Sequence, residues 1–119
     1  MKILIVDDSA VMRNMIKRAL ASGGVQAEIL EAGDGQLALA QVPNDPDLIL
    51  CDWNMPNMDG LTFVRELRKL GSTTPVLMVT TETHFSKQTE AKNAGANGFV
   101  AKPFTPDQLA SQIKEVVPA

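Results

Sequence analysis

Several features that would direct a protein to a membrane, a disulfide-rich fold or nucleic acid are missing from this sequence. It has one cysteine, which excludes an internal disulfide, and we expect Cys51 to be a core residue in a reducing cytosol. No apolar run approaches the roughly 20 residues of a membrane-spanning helix, and "MKILIVDD" turns acidic too early for a signal peptide. Lysines and arginines form no cluster and the formal net charge is -3. We therefore expect a cytoplasmic protein whose main partner is neither nucleic acid nor a membrane.

Familiar nucleotide-binding motifs are missing as well. No G-x-x-x-x-G-K-[ST] occurs, and "SGG" and "GDG" do not make a dinucleotide fingerprint. No repeat, low-complexity tract or linker divides the chain. Its 119 residues, 45% hydrophobic and 21% charged, are enough for one domain with a real core and too few for two. We expect a single domain over residues 1–119.

What the chain does contain is a regular alternation of strand and helix patterns. Apolar runs without polar alternation, such as "LILC", indicate strands that are covered on both faces of a sheet. Apolar residues at helical spacing lie between these runs. Five such pairs predict an α/β fold, a doubly wound parallel sheet built from crossover units. The predicted strands are 2–6, 27–30 (charged enough for a sheet edge), 48–51, 75–79 and 98–101, and the helices begin near 9, 35, 60, 83 and 105.

The helical patterns also predict which side chains are buried. The first helix should bury Met15 with the rest of its apolar face, and the third helix should bury Leu70 at its end. "TPDQ", from Thr105, has the residues of a capping box at the start of the last helix. In "THFSKQTEAKNAG" the best core residues, Phe85 and Ala94, are nine residues apart. They fall on opposite sides of a helix, so no single apolar stripe anchors it and it should be easily displaced.

Polar residues stand where the predicted strands end. Asp7 and Asp8 follow the first strand, Asp52 the third, Thr80 the fourth and Lys102 the fifth. In a parallel sheet these ends share one edge, where ligands bind. Carboxylates about 5 Å apart repel by roughly 3 kcal/mol at an effective dielectric near 20. Lys102 can neutralise one charge, and a hard divalent cation such as Mg²⁺, which takes oxygen ligands and bridges to phosphate, fits the remainder.

This set of groups is suited to phosphoryl transfer. Asp52 can act as the nucleophile and form an aspartyl phosphate. The metal, Lys102 and the Thr80 hydroxyl would stabilise the phosphoryl oxygens as charge builds on them. Asp52 would then end a buried strand so that a rigid scaffold presents it to a phosphoryl donor.

Four stretches carry a resemblance to a known family: "VDDSAVMR", "CDWNMPNMDG", "PVLMVT" and "GFVAKPFT". In this order on the predicted strands, they resemble the receiver domains of bacterial two-component response regulators, and most closely the stand-alone chemotaxis type. They lie between residues 6 and 105, so the resemblance covers essentially the whole chain. It implies a flavodoxin-like (βα)5 fold with strand order 2-1-3-4-5, and a phosphorylation-activated switch rather than a turnover enzyme.

The resemblance also implies a role for individual residues. Asp52 is the expected phosphoacceptor, and a cis peptide bond is expected before Pro103. Mg²⁺ is the expected cofactor, and Mn²⁺ could substitute for it. Its expected ligands are Asp7, Asp8, Asp52 and the backbone carbonyl of Asn54. The expected phosphoryl-stabilising and switch residues are Thr80, Lys102 and Phe99.

The same resemblance implies a monomer with two protein partners. A sensor histidine kinase is the expected phosphodonor. A downstream protein, with a flagellar motor switch protein as the first candidate, is expected to bind the surface of the fourth helix, fifth strand and fifth helix. Chemotaxis regulators usually carry Tyr where this chain has Phe99, and a small residue where it has Thr81. These departures bear on the downstream target and leave phosphorylation itself intact.

Three alternatives stay open at this point. A haloacid-dehalogenase-type phosphatase also uses a strand-end Asp, a Thr, a Lys and Mg²⁺, but it places a second Asp two residues on, where this chain has Asn54. A flavodoxin-like FMN carrier needs a phosphate-binding loop after the first strand, where "DDSA" puts two negative charges. The chain could also be the receiver part of a longer regulator. Beside the site, we expect Trp53 to be partly exposed and His84 to lie on the surface.

Overall fold

The computed structural model describes residues 1–81 and 84–117, which form alternating strands and helices. The strands are β1 (Lys2–Val6), β2 (Glu28–Ala32), β3 (Leu48–Cys51), β4 (Val76–Thr80) and β5 (Gly98–Ala101). The helices are α1 (Ala10–Ser22), α2 (Gly35–Gln41), α3 (Gly60–Lys69), α4 (Phe85–Ala94) and α5 (Pro106–Val116), with a 3₁₀ turn at Val42–Asn44 after α2. Within these described ranges, every helix is too short or too polar to cross a membrane.

The five strands form one parallel sheet in the order β2-β1-β3-β4-β5. This order confirms the flavodoxin-like arrangement and the expected place of β2 at an edge. β1 and β3 pair along their length up to Val6 and Cys51. Asp7 and Asp52 therefore lie side by side, one residue beyond the last pair and at the carboxyl edge of the sheet.

Two separate apolar cores explain why the strands lack polar alternation. Successive side chains of a strand point to opposite faces, so Ile3 and Ile5 pack on one face and Leu4 and Val6 on the other. α1 and α5 cover the first face, and α2, α3 and α4 cover the second. Cys51 lies in the second core, as expected, and burial raises the pKa of its thiol.

Four helices begin at a side chain that accepts a backbone N–H from the first turn. Ser9, Asp34, Asp59 and Thr105 cap α1, α2, α3 and α5 in this way. Thr105 and Gln108 form the capping box that the sequence predicts. Because each helix follows a strand, these caps lie at the carboxyl edge of the sheet and fix the loops that surround the site.

Three apolar side chains that the helical patterns placed in the core are exposed instead. Met15 is 51% exposed, Leu70 67% and Phe85 83%. Met15 lies at the margin of the α1 stripe, and Leu70 follows the last residue of α3. In α4 the buried residue is Ala91, whereas Ala94 is half-buried against the second core. The predicted lack of one apolar stripe on this helix is confirmed.

Arg68 of α3 holds the C-terminal end of α4 in place. Its guanidinium donates to the carbonyl of Gly95, just after the helix, at 3.2 Å from Nε and 2.8 Å from Nη2. It also donates to Asn97 Oδ1 at 3.1 Å. Desolvation by burial lowers the pKa of Arg68. At the other end, Thr83, where the predicted helical pattern starts, lies outside the described residues.

Candidate functional site

Three carboxylates meet at the carboxyl edge of the sheet. Asp7 and Asp8 follow β1 and Asp52 follows β3. One carboxylate oxygen from each lies within 4.8 Å of the other two. Asp7 is buried, Asp52 is half-buried and Asp8 is exposed, so the cluster opens to solvent on one side. The convergence that the strand ends predict is therefore present.

Backbone hydrogen bonds extend the sheet to the acidic residues. The N–H of Asp52 donates to the Val6 carbonyl at 2.9 Å, and the N–H of Asp7 donates to the Ala32 carbonyl at 3.1 Å. The Asp7 side chain accepts the N–H of Ser9 through Oδ1 at 2.9 Å. These bonds give Asp7 and Asp52 the rigidity of the strands that precede them.

Lys102 is the cation at the centre of this cluster. Its Nζ lies 3.1 Å from Asp7 Oδ2 and 3.4 Å from Asp52 Oδ1. The residue follows β5, and its N–H donates to the Thr80 carbonyl at 2.9 Å. The peptide bond between Lys102 and Pro103 is cis. One ammonium faces three carboxylates, so a formal charge of about -2 is left at this edge of the sheet.

The surroundings of Asp52 raise the pKa of its carboxyl group above the ordinary value. Burial raises its pKa, the positive charge of Lys102 acts in the opposite direction, and the negative charge of Asp7 raises it again. The Trp53 N–H donates to Asp52 Oδ1 at 2.8 Å, which fixes the carboxylate on its own backbone. A perturbed carboxyl group in a cleft with a specific cationic partner is typical of a functional site.

The loop between β3 and α3 is held to α2, which the sequence did not predict. Asn57 adopts a left-handed backbone conformation (φ 66°) and donates its side-chain N–H to Asp34 Oδ2 at 2.9 Å. The Gly35 N–H donates to the Met58 carbonyl at 3.1 Å. Hydrogen bonds from Leu37 and Asn57 lower the pKa of Asp34. The only available signal was "GDG" ahead of a helical pattern, which marks an N-cap.

Gly60 lets α3 approach the end of β3 closely. Its N–H donates to the Trp53 carbonyl at 2.8 Å. A Cβ at this position would overlap the backbone carbonyl of Asp52 and would lie 2.9 Å from Met78 Cε. The loop that carries Asn54, which is exposed, is therefore pinned at both ends. The absence of a side chain at Gly60 is part of how Asp52 is positioned.

The remaining predicted site residues lie around the cluster. Thr80 ends β4 and is buried, and Thr81 next to it is exposed. Phe99 is half-buried on β5, where its backbone pairs with Met78 of β4. His84 is exposed at the start of α4, as expected.

Trp53 is buried, which corrects the expectation of a partly exposed ring. It is 5% exposed and packs in the second core, against which Met55 and Met58 of the same loop also pack. Lys87 of α4 places its Nζ 5.7 Å from the centroid of the ring, within reach of a cation–π interaction. No sequence pattern predicts the contact of Lys87, since contacts between distant elements depend on how each helix is rotated.

The donor set fits a hard divalent metal ion. Three carboxylates offer oxygen atoms close enough to share one ion, and oxygen donors of this kind are the ligands of Mg²⁺, Mn²⁺ and Ca²⁺. A dication would also balance the formal charge of about -2 that Lys102 leaves. The acidic pocket of Asp7, Asp8 and Asp52 could therefore hold a divalent cation.

Comparison with known proteins identifies the family. The sequence profile of the response regulator receiver domain matches residues 3–114. The chemotaxis protein CheY of Pseudomonas aeruginosa is 42% identical over 119 residues, which cover 98% of this chain and 95% of that protein. A CheY homolog of Campylobacter jejuni is 40% identical, and the alignment covers 98% of this chain and 92% of that protein. The solved structure of CheY4 from Vibrio cholerae is 40% identical, with a TM-score of 0.88 and 98% of each chain covered.

The chain belongs to the response regulator receiver domain family. Within that family it is a receiver domain of the CheY type found in chemotaxis response regulators. Proteins of this type are signalling proteins that act with a histidine kinase and a downstream target in two-component systems. This membership is consistent with a phosphorylation-activated switch and does not favour the phosphatase alternative.

Proposed function

We propose that this chain is a signalling switch that is turned on by Mg²⁺-dependent phosphorylation of Asp52. One observation carries the proposal. The Asp52 carboxylate ends a buried strand within 4.8 Å of the Asp7 and Asp8 carboxylates and 3.4 Å from Lys102 Nζ. This is the arrangement of a nucleophile between metal ligands and a cation, which phosphoryl transfer requires.

In this proposal, Mg²⁺ is held by carboxylates and by one backbone oxygen, and Mn²⁺ can replace it. The ligands are Asp7, Asp8, Asp52 and the backbone carbonyl of Asn54. When bound, the ion neutralises charge on the phosphoryl oxygens and orients them. The anchoring of the loop after β3 supports the part of Asn54, because the hydrogen bonds from Asn57 and Gly35 fix the course of that loop.

The residues of the chain supply the nucleophile and its orientation. The Trp53 N–H holds Asp52 Oδ1, which turns the second carboxylate oxygen toward an incoming phosphorus. That oxygen forms the new bond to phosphorus while the bond from phosphorus to a histidine nitrogen of the kinase breaks, and the imidazole keeps the electron pair. Lys102 and Thr80 then stabilise the transferred phosphoryl oxygens. The residue two positions after Asp52 is Asn54, so a general acid is not supplied for rapid turnover of phosphomonoesters.

Phosphorylation of the purified protein by a small phosphodonor tests this chemistry. Acetyl phosphate with Mg²⁺ should add one phosphoryl group, detected by intact mass, and neither EDTA-treated protein nor Asp52→Asn should be modified. Asp47→Asn is a matched control. Asp47 precedes the amino end of the same strand, far from the acidic cluster, and its side chain accepts the Lys2 N–H. Modification of Asp52→Asn, or steady phosphate release from many unrelated phosphomonoesters, would contradict the proposal.

We further propose that the phosphoryl group is read at the surface of α4, β5 and α5. Thr80 is buried at the end of β4, next to the strand that carries Phe99. Movement of the Thr80 hydroxyl toward the phosphoryl oxygens would let Phe99 turn inward. Because Phe99 has no hydroxyl, this coupling depends on packing alone. A downstream protein reads the change, and a flagellar motor switch protein is the first candidate.

Hydrogen exchange with Mg²⁺ and beryllofluoride, a phosphoryl mimic, tests the output. Protection should change between residues 80 and 105, a range that contains the last residue of β4 and all of α4 and β5. Lys102→Ala should still accept a phosphoryl group on Asp52 but show a much smaller change, because the cation that links the phosphoryl group to β5 is lost. Asp52→Asn is the control, since it should not bind beryllofluoride. Unchanged protection across these residues in the unmodified sequence would rule out this route.

A further inference from the structure

A second cation reaches the acidic cluster from α1. The Arg13 guanidinium donates through Nη1 to the backbone carbonyl of Asp7 at 2.6 Å and through Nε to Glu31 Oε1 at 2.9 Å. The side chain is 20% exposed, so most of it is held against the protein. Arg13 therefore joins the first turns of α1 to the end of β1 and to the edge strand β2.

The carbonyl that Arg13 binds belongs to the peptide between Asp7 and Asp8. A peptide unit is planar, so fixing this oxygen fixes the plane of the unit and the position of the Asp8 Cα, from which the side chain extends. The carboxylate of Asp7 has its own partners in Ser9 and Lys102. For the exposed carboxylate of Asp8, no hydrogen bond or ion pair is found within residues 1–81 and 84–117. Its position depends on its backbone, and hence on Arg13.

Glu31 provides a fixed support for Arg13. Its second oxygen accepts Lys17 Nζ at 3.0 Å, so two cations of α1 hold this carboxylate. Its hydrogen bond to Lys17, with help from Arg13, lowers the pKa of Glu31 below the ordinary value. The next residue, Ala32, accepts the N–H of Asp7. The Asp7 backbone is thus held by β2 on its N–H side and by Arg13 on its carbonyl side.

We propose that Arg13 is a positioning residue for the metal site, because it holds the Asp7–Asp8 peptide in the orientation that directs Asp8 toward Asp52. The inference rests on the Mg²⁺ site proposed above. Arg13 is in the motif "VDDSAVMR", but neither its position in that motif nor its charge predicts such a role. Loss of a group that orients metal ligands without touching the metal commonly lowers metal affinity or activity by about 10- to 100-fold.

Arg13 affects Mg²⁺ affinity in two ways, through its charge and through its contact with the Asp7 carbonyl, and loss of each changes the affinity in the opposite direction. A cation beside a metal site repels the metal, so loss of the charge alone would tighten Mg²⁺ binding. Loss of the contact to the Asp7 carbonyl would weaken binding, because Asp8 would no longer be directed at the ion. Glu31 offsets only part of the charge of Arg13, because it also pairs with Lys17, and we expect the orienting effect to be the larger one.

Titration with MgCl₂, followed by the backbone amide NMR shifts of residues 7, 8 and 52, measures the affinity directly. Arg13→Gln should raise the dissociation constant by about 10-fold. Lys17→Gln is the matched control: it also loses an ion pair with Glu31 but has no contact with the Asp7 carbonyl. Its affinity should stay within about 2-fold of the unmodified sequence, since Arg13 remains in place.

Arg13→Lys separates geometry from charge. A lysine keeps the charge, but its single ammonium cannot form the planar fork that binds a carbonyl and a carboxylate together. Its affinity should be close to that of Arg13→Gln. Equal or tighter binding in Arg13→Gln, or full affinity in Arg13→Lys, would overturn the inference. Failure of the unmodified sequence to bind Mg²⁺ would overturn the metal site and the inference together, whereas the variant results bear on Arg13 alone.

Discussion

Replacement of Asp52 by asparagine should stabilise the metal-free protein. Three carboxylates share this edge of the sheet with one ammonium, so an ionised Asp52 is surrounded by more repulsion than attraction. Asparagine removes the charge and keeps the volume. Its side-chain oxygen can still accept the Trp53 N–H that now binds Asp52 Oδ1. Lys102 keeps its ion pair with Asp7 at 3.1 Å, so the substitution leaves no buried cation unpaired.

Distances within the cluster give the size of the effect. At an effective dielectric of about 20, two carboxylates whose oxygens are at the outer limit of 4.8 Å repel by about 3.5 kcal/mol, and Asp52 has two neighbours within that limit. The ion pair of Asp52 with Lys102 at 3.4 Å stabilises the ionised carboxylate by about 5 kcal/mol on the same scale. Roughly 2 kcal/mol of net repulsion remains, and solvent around the exposed Asp8 reduces it. We therefore expect the free energy of unfolding of metal-free Asp52→Asn to be about 1 kcal/mol higher than that of the unmodified sequence.

Urea unfolding in EDTA, followed by the fluorescence of the single tryptophan, measures this difference. Trp53 is buried, so its emission should report unfolding. Addition of Mg²⁺ should narrow or reverse the difference in stability between Asp52→Asn and the unmodified sequence. An ion that binds only the folded state stabilises it by mass action, and the unmodified sequence keeps all three carboxylates. Glu115→Gln on α5 is the control for a general loss of one negative charge from a net charge of -3. Equal or lower stability of Asp52→Asn in EDTA would refute the electrostatic argument.

The same comparison has a defined pH dependence. Burial, together with the charge of Asp7, raises the pKa of Asp52 above its ordinary value of 3.8 in the folded state. A raised carboxyl pKa means that the stability present below pH 3.8 is lost as the pH rises through the folded-state pKa. The Asp52→Asn variant has no carboxyl group at this position, so it does not lose this stability as the pH rises. The advantage of the variant should therefore be absent in acid, grow above pH 3.8 and reach a plateau by neutral pH.

Three further substitutions test the supports of the site, each by urea unfolding. Gly60→Ala should cost roughly 2 kcal/mol or more, because its Cβ would overlap the Asp52 carbonyl, and it should slow phosphorylation by acetyl phosphate. Arg68→Met should cost about 2 kcal/mol, because it leaves partly buried carbonyl groups without their donor. Lys87→Met should cost only about 0.5 kcal/mol, but it should change the fluorescence of Trp53, over which Lys87 lies.

The sheet and its carboxyl edge could be predicted from the sequence because both depend on patterns along the chain. Strands buried on both faces have continuous apolar runs, and parallel strands bring their ends to one edge. Asp7, Asp52 and Lys102 could therefore be placed together without any knowledge of a side-chain contact. Strand bounds differ from the expected ones by up to two residues, as for β2, because the sheet pairing rather than local composition decides where a strand stops.

The errors and omissions have a common physical origin. Helical spacing identifies an apolar stripe but not its width, which the neighbouring elements set, so Met15 and Leu70 at its margins were wrongly placed in the core. The burial of Trp53 depends on how the loop after β3 packs against the second core. The contacts of Arg13 and Lys87 join elements whose relative rotation no local pattern specifies.

The attachment of α4 differs at its two ends, and this difference determines how it can move. At the C-terminal end, Arg68 binds the Gly95 carbonyl with two donors, and Ala91 is buried in the core. Toward the N-terminal end, Lys87 contacts the ring of Trp53 from an exposed position, an interaction of about 0.5–1 kcal/mol at such a site.

Judged from the contacts of residues 1–81 and 84–117, we expect displacement of the N-terminal half of α4 to cost little, whereas moving the C-terminal end would break several hydrogen bonds to a charged group. We expect a change at Asp52 to act on this end first, because the Asp52 carboxylate accepts the N–H of Trp53, whose ring Lys87 contacts. We expect α4 to pivot about Gly95, whose left-handed conformation (φ 117°) ends the helix. A shift of α4 as a rigid whole would instead require the contacts of Arg68 to break. In that case Arg68→Met would make the displacement of α4 easier, in addition to destabilising the fold.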